Sequence, residues 1–271
     1  MNDLQNEVFG IFQIFLKICQ TLDLRYYVIN GSALGAVKYG GFIEWDDDID
    51  VAMPRADYAT FCEKAQSLLP EHIFLQNYKT DKNFPFFYSK LRNSNTTFIE
   101  TGVAHLDMNH GLYIDIFPLD NCPMDIKVQK TLNCKLKILS WMQFCALKGT
   151  LQWKVRVRNS FFRLLGYHHK TDCVLDKMEQ LVIDYEEDTG FWCNYGDRQR
   201  KYRIPREYYG VGTVVEFEGL PVIVPEKIDE YLTCKYGDWR QELDESDKKT
   251  HHETVICDLN TPYTEYRNKS F

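Results

Sequence analysis

The hydrophobic and polar positions of this chain follow two periods, which predict helices and strands in alternation. From residue 3 to residue 22, apolar side chains recur every three or four positions, as in a helix packed on a core. Tyr26-Tyr27-Val28-Ile29 has the aromatic and β-branched composition of a strand. Further strands are predicted at 73–77, 86–92, 111–120 and 191–196, a hairpin at 217–225, and further helices at 33–39, 54–69, 172–187 and 226–236.

A Gly-Ser turn separates the first strand from the next helix. Gly31-Ser32 stands where the strand ends, and residues 33–39 have the composition of a short helix. A glycine followed by a hydroxyl at such a junction suits an anionic ligand, because the backbone approaches closely and the helix amides face the charge. Alone, this dipeptide is an ordinary turn, and it gains meaning only from the acidic stretch that follows.

Four aspartates lie within five residues shortly after this helix. If their strand begins by Asp46, its period of two places Asp46, Asp48 and Asp50 on one face and turns Asp47 away. Each pair of like charges about 6 Å apart costs roughly 3 kcal/mol at an effective dielectric of about 20. A bound cation makes such crowding tolerable, and carboxylate oxygens suit Mg²⁺ or Mn²⁺. The alternative, a solvated acidic turn, fits poorly with apolar neighbours such as Trp45.

A further aspartate lies inside the apolar stretch from 111 to 120. Asp115 stands between Ile114 and Ile116, and an aspartate in a buried strand is rarely tolerated unless it is paired or metal-bound. We therefore predict that Asp115 joins the first acidic cluster. Asp120, at the end of the stretch, is interpreted as a cap or turn residue.

Two cations lie on the strand predicted at 86–92. Lys90 and Arg92 share one face by alternation, so both side chains would project together beside a phosphate. The alternative is a pair of solvated charges on an edge strand.

The region from 126 to 170 differs in charge from the rest of the chain. It contains ten Lys or Arg residues and no Asp or Glu, with aromatic and aliphatic residues between them. The pattern predicts two helices broken near Gly149. Two interpretations stay open: a helical cap with solvated basic side chains, or a surface for anionic lipid, anionic polymer or nucleotide phosphates.

Composition limits the class of protein. The 271 residues are 44% hydrophobic, which is typical of a globular protein with a substantial core. A net charge of −7 argues against a general nucleic-acid binder. Because no apolar run reaches about 18 residues and no basic cleavable leader is present, we expect a cytoplasmic protein. Nine scattered cysteines without a C-x-x-C pair indicate reduced thiols.

Taken together, these motifs resemble the LicD family of nucleotidyltransferase-fold enzymes, which includes phosphocholine transferases and the fukutin-related proteins. The resemblance rests on Gly31-Ser32-Ala33-Leu34-Gly35, Gly41-Phe42-Ile43, Trp45-Asp46-Asp47-Asp48-Ile49-Asp50, Pro54-Arg55-x-Asp57-Tyr58, the stretch from Gly111 to Asp120, Phe217-Glu218-Gly219, Tyr231-Leu232 and Tyr236-Gly237-Asp238. These blocks span most of the chain, although no motif of the family covers residues 122–190.

The resemblance implies an α+β fold with a DNA polymerase β-like nucleotidyltransferase core, in which helices flank a mixed sheet. We expect a catalytic core over residues 1–121 and an added basic helical region over residues 122–190. Residues 191–271 would form a C-terminal part that packs back on the core.

Carried over residue by residue, the resemblance makes Asp48 and Asp50 ligands of Mg²⁺ or Mn²⁺. Asp115 would be the third carboxylate and would also accept the proton of the attacking hydroxyl. Asp46 matches the preceding acid of the family motif and would bind the metal through water.

The resemblance also assigns residues to the donor. Gly31 and Ser32 would contact the donor's phosphates, and Lys90 and Arg92 would add positive charge beside them. The family's typical donor is CDP-choline, and its typical reaction moves phosphocholine to a hydroxyl of a surface glycan such as lipopolysaccharide or teichoic acid. Other members use CDP-linked alditols, so the motifs leave the head group open.

The implied enzyme would act on a glycan or glycolipid precursor, with residues 126–170 against the anionic inner face of a membrane. Rival functions stay open. They are a metal-dependent glycosyltransferase with a D-x-D motif and a sugar nucleotide, an enzyme that transfers the nucleotide itself, and a non-catalytic nucleotide-binding module.

Overall fold

The computed structural model describes residues 1–146, 153–167, 170–185, 187–196, 203–242, 248 and 252–267. Its α-helices are α1 Asp3–Leu22, α2 Asn30–Tyr39, α3 Arg55–Lys64, α4 Ile126–Gln143, α5 Trp153–Leu164, α6 Thr171–Ile183, α7 Arg206–Tyr209 and α8 Ile228–Tyr236. Its strands are β1 Tyr27–Val28, β2 Asp50–Pro54, β3 Ile73–Gln76, β4 Ser89–Asn93, β5 Thr97–Glu100, β6 Leu112–Asn121, β7 Phe191–Cys193, β8 Ile204–Pro205, β9 Thr213–Phe217, β10 Leu220–Val224 and β11 Thr254–Asp258.

One mixed sheet organises these elements. Its main strand order is β1-β2-β6-β4-β3, and β7 pairs with the end of β6 and with β8. β2 runs parallel to β6, whereas the other pairings in the sheet are antiparallel. Two smaller antiparallel pairs, β9 with β10 and β5 with β11, lie outside it. The expectation of an α+β protein with a mixed sheet and flanking helices is confirmed.

The main core lies between the sheet and its helices. Asn2 and Gln5 form a capping box that starts α1, and Phe12 and Phe15 of this helix are fully buried in the core. A second cluster joins α4 and α6 through Leu136, Leu175 and other apolar residues. Within the described residues, no helix is long and apolar enough to cross a membrane.

Two boundaries around the acidic stretch differ from the sequence prediction. Helix α2 begins at Asn30, so Gly31 and Ser32 lie in its first turn rather than in a turn before it. Strand β2 begins at Asp50, and Asp46 to Ile49 precede it without regular structure. The reason is that pairing with β6 begins at Asp50 and pairing with β1 begins at Val51. The strand alternation predicted for the aspartates is therefore wrong.

The two basic helices are present as α4 and α5, but the predicted break near Gly149 lies outside the described residues. Sequence periodicity missed β5 and β11 entirely. Because β11 is built from the end of the chain, its pairing with β5 holds residues 254–258 against the rest of the protein.

A buried ion-pair network joins the sheet to the helical region. The Arg55 guanidinium contacts both oxygens of Asp120, at 2.5 and 2.7 Å, and Glu179 on α6 at 3.2 Å. Asp120 is only 2% exposed, so its charge depends on Arg55. Asp120 is thus the last acid of β6 and part of an ion pair, not a cap or turn residue as predicted.

Replacing Arg55 should therefore destabilise the fold strongly. In Arg55→Met, the Asp120 carboxylate stays buried without its partner, and we expect a loss of about 3–5 kcal/mol in the free energy of unfolding. Urea unfolding followed by circular dichroism measures it. The matched control is Arg25→Met, which removes the exposed ion pair between Arg25, before β1, and Asp57 on α3, and should cost no more than about 1 kcal/mol. Equal losses in the two variants would contradict the assignment.

Candidate active site

Three neighbouring strands place charged residues side by side through their register. Asp50, the first residue of β2, pairs with Asp115 in the middle of β6, and Asp115 pairs in turn with Lys90 on β4. Partners in register point to the same face of a sheet. The sheet therefore brings two carboxylates and one ammonium group together from positions up to 65 residues apart, which is the separation of Asp50 and Asp115.

Asp48 completes this cluster from the irregular segment before β2. Carboxylate oxygens of Asp48, Asp50 and Asp115 all lie within 4.8 Å of one another, so the three residues together could hold a metal ion. Three hard, anionic oxygen donors at this spacing fit Mg²⁺ or Mn²⁺ rather than a soft metal. Asp115 is buried, whereas Asp48 and Asp50 are partly open, which leaves the cluster accessible from one side.

The start of α2 fixes the position of Asp50. Asn30 adopts a left-handed backbone (φ 51°), and its side-chain amide donates to Asp50 Oδ2 at 2.9 Å. The Ser32 hydroxyl accepts from the Asp50 backbone N–H at 2.9 Å. A side chain at residue 31 would meet Asp46, since a Cβ there would lie 2.8 Å from Asp46 Oδ2. A larger residue at position 31 would therefore require the Asp46 carboxylate to shift.

Burial and repulsion between neighbouring carboxylates make Asp46 and Asp48 harder to ionise. Burial, with the charges of Asp50 and Asp47, raises the pKa of Asp46 to about 7. Burial and the neighbouring Asp46 charge raise the pKa of Asp48 well above its ordinary value. A cation bound between the carboxylates would offset both effects, which agrees with the metal-binding interpretation of the cluster.

Lys90 supplies positive charge on the other side of Asp115. Its Nζ lies 2.9 Å from Asp115 Oδ1 and 3.1 Å from the centre of the Tyr113 ring, and the side chain is 2% exposed. Glu100 Oε2 lies 4.0 Å from both Lys90 and Arg92. Although burial acts in the opposite direction, these two cations lower the pKa of Glu100. Lys90 is therefore held between two carboxylates.

Arg92 occupies a deeper position than Lys90. Its guanidinium donates to Gln76 Oε1 and to the Gly111 carbonyl, and it lies over the Tyr113 ring. The residue is fully buried. Its predicted contact with the donor's phosphates stays a prediction, as does that of Gly31 and Ser32.

The structure adds a histidine that the sequence analysis did not assign to the site. His252 Nδ1 lies 2.8 Å from Asp47 Oδ1, and its Nε2 lies 3.7 Å from Asp48 Oδ2. Burial lowers the pKa of His252, but the hydrogen bond to Asp47 and the charges of Asp48 and Asp47 outweigh it and raise the pKa to about 9. No local pattern identifies this residue, because more than 200 positions separate it from Asp47.

An α+β domain with three clustered carboxylates beside a helix N-terminus defines a candidate metal-dependent enzyme site. Residues 23–131 match the family model described as the LicD/FKTN/FKRP nucleotidyltransferase domain, and this range includes all three carboxylates. The chain is also similar to the lipopolysaccharide cholinephosphotransferase LicD of Haemophilus influenzae, with 28% identity over 257 residues, 90% of this chain and 92% of that protein. The resemblance to the LicD family that the motifs predict is therefore confirmed over residues 23–131.

The carboxylate cluster should limit the stability of the metal-free protein. In Asp48→Asn, one like charge is removed, so we expect a higher melting temperature in EDTA. If the repulsion removed amounts to about 1 kcal/mol, the melting temperature should rise by about 2–4 °C for a chain of this size. The stabilisation of the wild type by Mg²⁺ or Mn²⁺ should be lost in this variant. Differential scanning fluorimetry with and without metal measures both effects.

Glu44→Gln is the matched control, because Glu44 is an exposed acid of the same segment. It should keep the melting temperature and metal response of the wild type. If Asp48→Asn responded to metal as strongly as the wild type does, Asp48 would not be a ligand.

Proposed function

We propose that this protein is a Mg²⁺- or Mn²⁺-dependent phosphotransferase that moves phosphocholine from CDP-choline to a hydroxyl of a glycan precursor. The observation that carries the proposal is the cluster of Asp48, Asp50 and Asp115 inside a LicD-family domain. The name of the Haemophilus relative supports the phosphocholine group and a lipopolysaccharide-type acceptor. A CDP-linked alditol is the alternative donor for the same site.

In this reaction the acceptor hydroxyl attacks the phosphorus that carries choline. The bond from this phosphorus to the bridging oxygen breaks, CMP leaves with the electron pair, and the hydroxyl proton passes to a base. Asp115 is proposed as that base and, with Asp48 and Asp50, as a metal ligand. A metal held by these carboxylates would act as a Lewis acid and offset negative charge on the leaving phosphate.

The remaining predicted residues are proposed to bind and orient the donor. Asp46 would hold the metal through water, a role supported by its interactions with Asp50 and Asp48. Gly31 and Ser32 lie in the first turn of that helix, where backbone amides favour phosphate oxygens. Lys90 forms an ion pair with Asp115 and, with Arg92, adds positive charge beside the acidic cluster.

The proposed fold is a DNA polymerase β-like nucleotidyltransferase core. It is supported by the order of a helix-starting Gly-Ser, an acidic segment leading into β2, and a third carboxylate on the adjacent β6. The proposed organisation keeps a core over 1–121, a basic helical region over 122–190 and a C-terminal part over 191–271. The pairing of β11 with β5 supports contact between the last part and the core.

We also propose that residues 126–170 bind the anionic face of a membrane, where a glycolipid acceptor would be presented. Helix α5 has an exposed apolar face formed by Val157, Phe161 and Leu164, which are 63%, 57% and 86% exposed. The exposed Arg156 and the part-exposed Arg158 flank this face. An apolar helix face bordered by cations, within residues 126–170 that contain no Asp or Glu, matches the chemistry of an anionic bilayer surface.

The proposed reaction predicts CMP as the nucleotide product. Incubation with CDP-choline, Mg²⁺ and an acceptor glycan should release CMP, whereas nucleotidyl transfer would release phosphocholine instead. A glycosyltransferase would leave CDP-choline intact and consume a sugar nucleotide. Chromatography of the nucleotides distinguishes these outcomes, and a non-catalytic module would give none of them.

Asp48→Asn and Asp115→Asn should each reduce CMP release at least about 100-fold, because each removes a metal ligand from the site. Glu44→Gln should keep wild-type turnover. Full activity in either aspartate variant would overturn the assignment of the site.

The proposed membrane contact predicts salt-sensitive binding to anionic vesicles. At low salt, the protein should sediment with phosphatidylglycerol vesicles and much less with phosphatidylcholine vesicles. Phe161→Ser with Leu164→Ser should weaken this binding at least tenfold, since each buried apolar side chain contributes about 1.5–3 kcal/mol. Val214→Ser, which changes an exposed valine on β9, is the control. Failure to sediment with anionic vesicles at low salt would favour the helical-cap interpretation.

A further inference from the structure

The acidic segment, residues 42–49, forms neither a helix nor a strand. Contacts with distant residues must therefore set its conformation. Gln5 on α1 donates to the carbonyl oxygens of Ile43, at 3.2 Å, and Asp46, at 2.9 Å. Glu218, in the turn between β9 and β10, accepts from the Phe42 N–H at 3.0 Å. Both of these contacts hold backbone atoms, and neither one orients a carboxylate.

His252 acts on the carboxylates themselves. It lies 2.8 Å from Asp47 through Nδ1 and presents Nε2 toward Asp48 at 3.7 Å. Its ring packs in T-shaped contacts with Phe98 and Tyr113, whose ring centres lie 6.2 and 6.0 Å from its own. Tyr113 is also the ring that Lys90 lies over. The imidazole therefore fills the space between the acidic segment and the sheet.

The backbone next to His252 is anchored independently of this contact. Thr101 donates to the Glu253 carbonyl through both its N–H and its hydroxyl, each at 2.9 Å. Thr254 then begins β11, which pairs with β5 in register with Glu100. Because the strand is fixed on the far side of the histidine, the ring is presented to Asp47 from a rigid support.

We propose that His252 is a positioning residue: its hydrogen bond to Asp47 holds the Asp47-Asp48 segment so that Asp48 faces Asp50 and Asp115 across the metal position. This inference rests on the proposed function, because it assumes that the three carboxylates bind a divalent cation. It assigns to the C-terminal strand a part in building the metal site. Loss of a residue that orients a metal ligand typically weakens metal binding by about 10–100-fold.

The test measures binding of Mn²⁺ alone, followed by the loss of its electron paramagnetic resonance signal as the free ion is taken up. His252→Ala should weaken Mn²⁺ binding by about 10–100-fold. His252→Asn should recover most of the affinity, because its side-chain amide N–H stands near the position of Nδ1–H and can donate to Asp47. Val255→Ala, an exposed position on β11, is the control and should bind Mn²⁺ like the wild type.

A second variant keeps the test decisive if His252→Ala folds poorly. Asp47→Ala removes the other end of the same hydrogen bond and should give a similar loss. Combining it with His252→Ala should add little, because both changes break one interaction. In turnover assays, the Mn²⁺ concentration for half-maximal rate should rise in both variants, whereas kcat at saturating Mn²⁺ should change much less.

Wild-type Mn²⁺ affinity in folded His252→Ala, or fully additive losses in the double variant, would overturn the proposal. Because Mn²⁺ binding is measured without a donor, failure of the proposed reaction is distinguishable from failure of this inference. A protein whose Mn²⁺ affinity depends on Asp48 and His252 but that releases no CMP would refute the reaction and keep the positioning role.

Discussion

The parallel pairing of β2 with β6 is the constraint on which the site depends. Its register sets Asp50 opposite Asp115, and the antiparallel pairing of β4 on the other side of β6 sets Lys90 opposite the same aspartate. Slipping either pairing by one residue would turn a charged side chain to the opposite face of the sheet. The apolar residues between these charges, which are buried on β2 and β6, make such a slip costly.

This register brings carboxylates close together, and contacts with surrounding residues reduce the unfavourable electrostatic energy of the cluster. Lys90 pairs with Asp115, Asn30 donates to Asp50, and His252 contacts Asp47. These three aspartates therefore have partners from three different parts of the chain. These contacts do not remove the whole penalty, since burial and the neighbouring carboxylates keep the pKa of Asp46 and of Asp48 raised. Sites that keep such unfavourable charges commonly exchange stability for function.

Sequence patterns predicted the parts of the site that carry a local signal. Asp48 and Asp50 stand out by density, and Asp115 stands out as an acid in an apolar strand; the structure brings these three together. The strand alternation of the aspartates was wrong because strand length depends on where β1 and β6 offer backbone partners, which is tertiary information. His252 was missed for a related reason: only the pairing of β11 with β5 brings it to Asp47.

For Lys90 and Arg92, sequence periodicity predicts the face of the sheet correctly but does not predict the contacts. Alternation places them on one face, and both indeed lie over the Tyr113 ring. Their chemical positions nevertheless differ, because β3 and the loop before β6 supply acceptors for Arg92 in Gln76 and Gly111. Lys90 has the Asp115 carboxylate as its nearest acidic partner. Lys90 and Arg92 therefore point to the same face of the sheet, as alternation predicts. The hydrogen-bond acceptors around each side chain decide that Lys90, and not Arg92, contacts the carboxylate cluster.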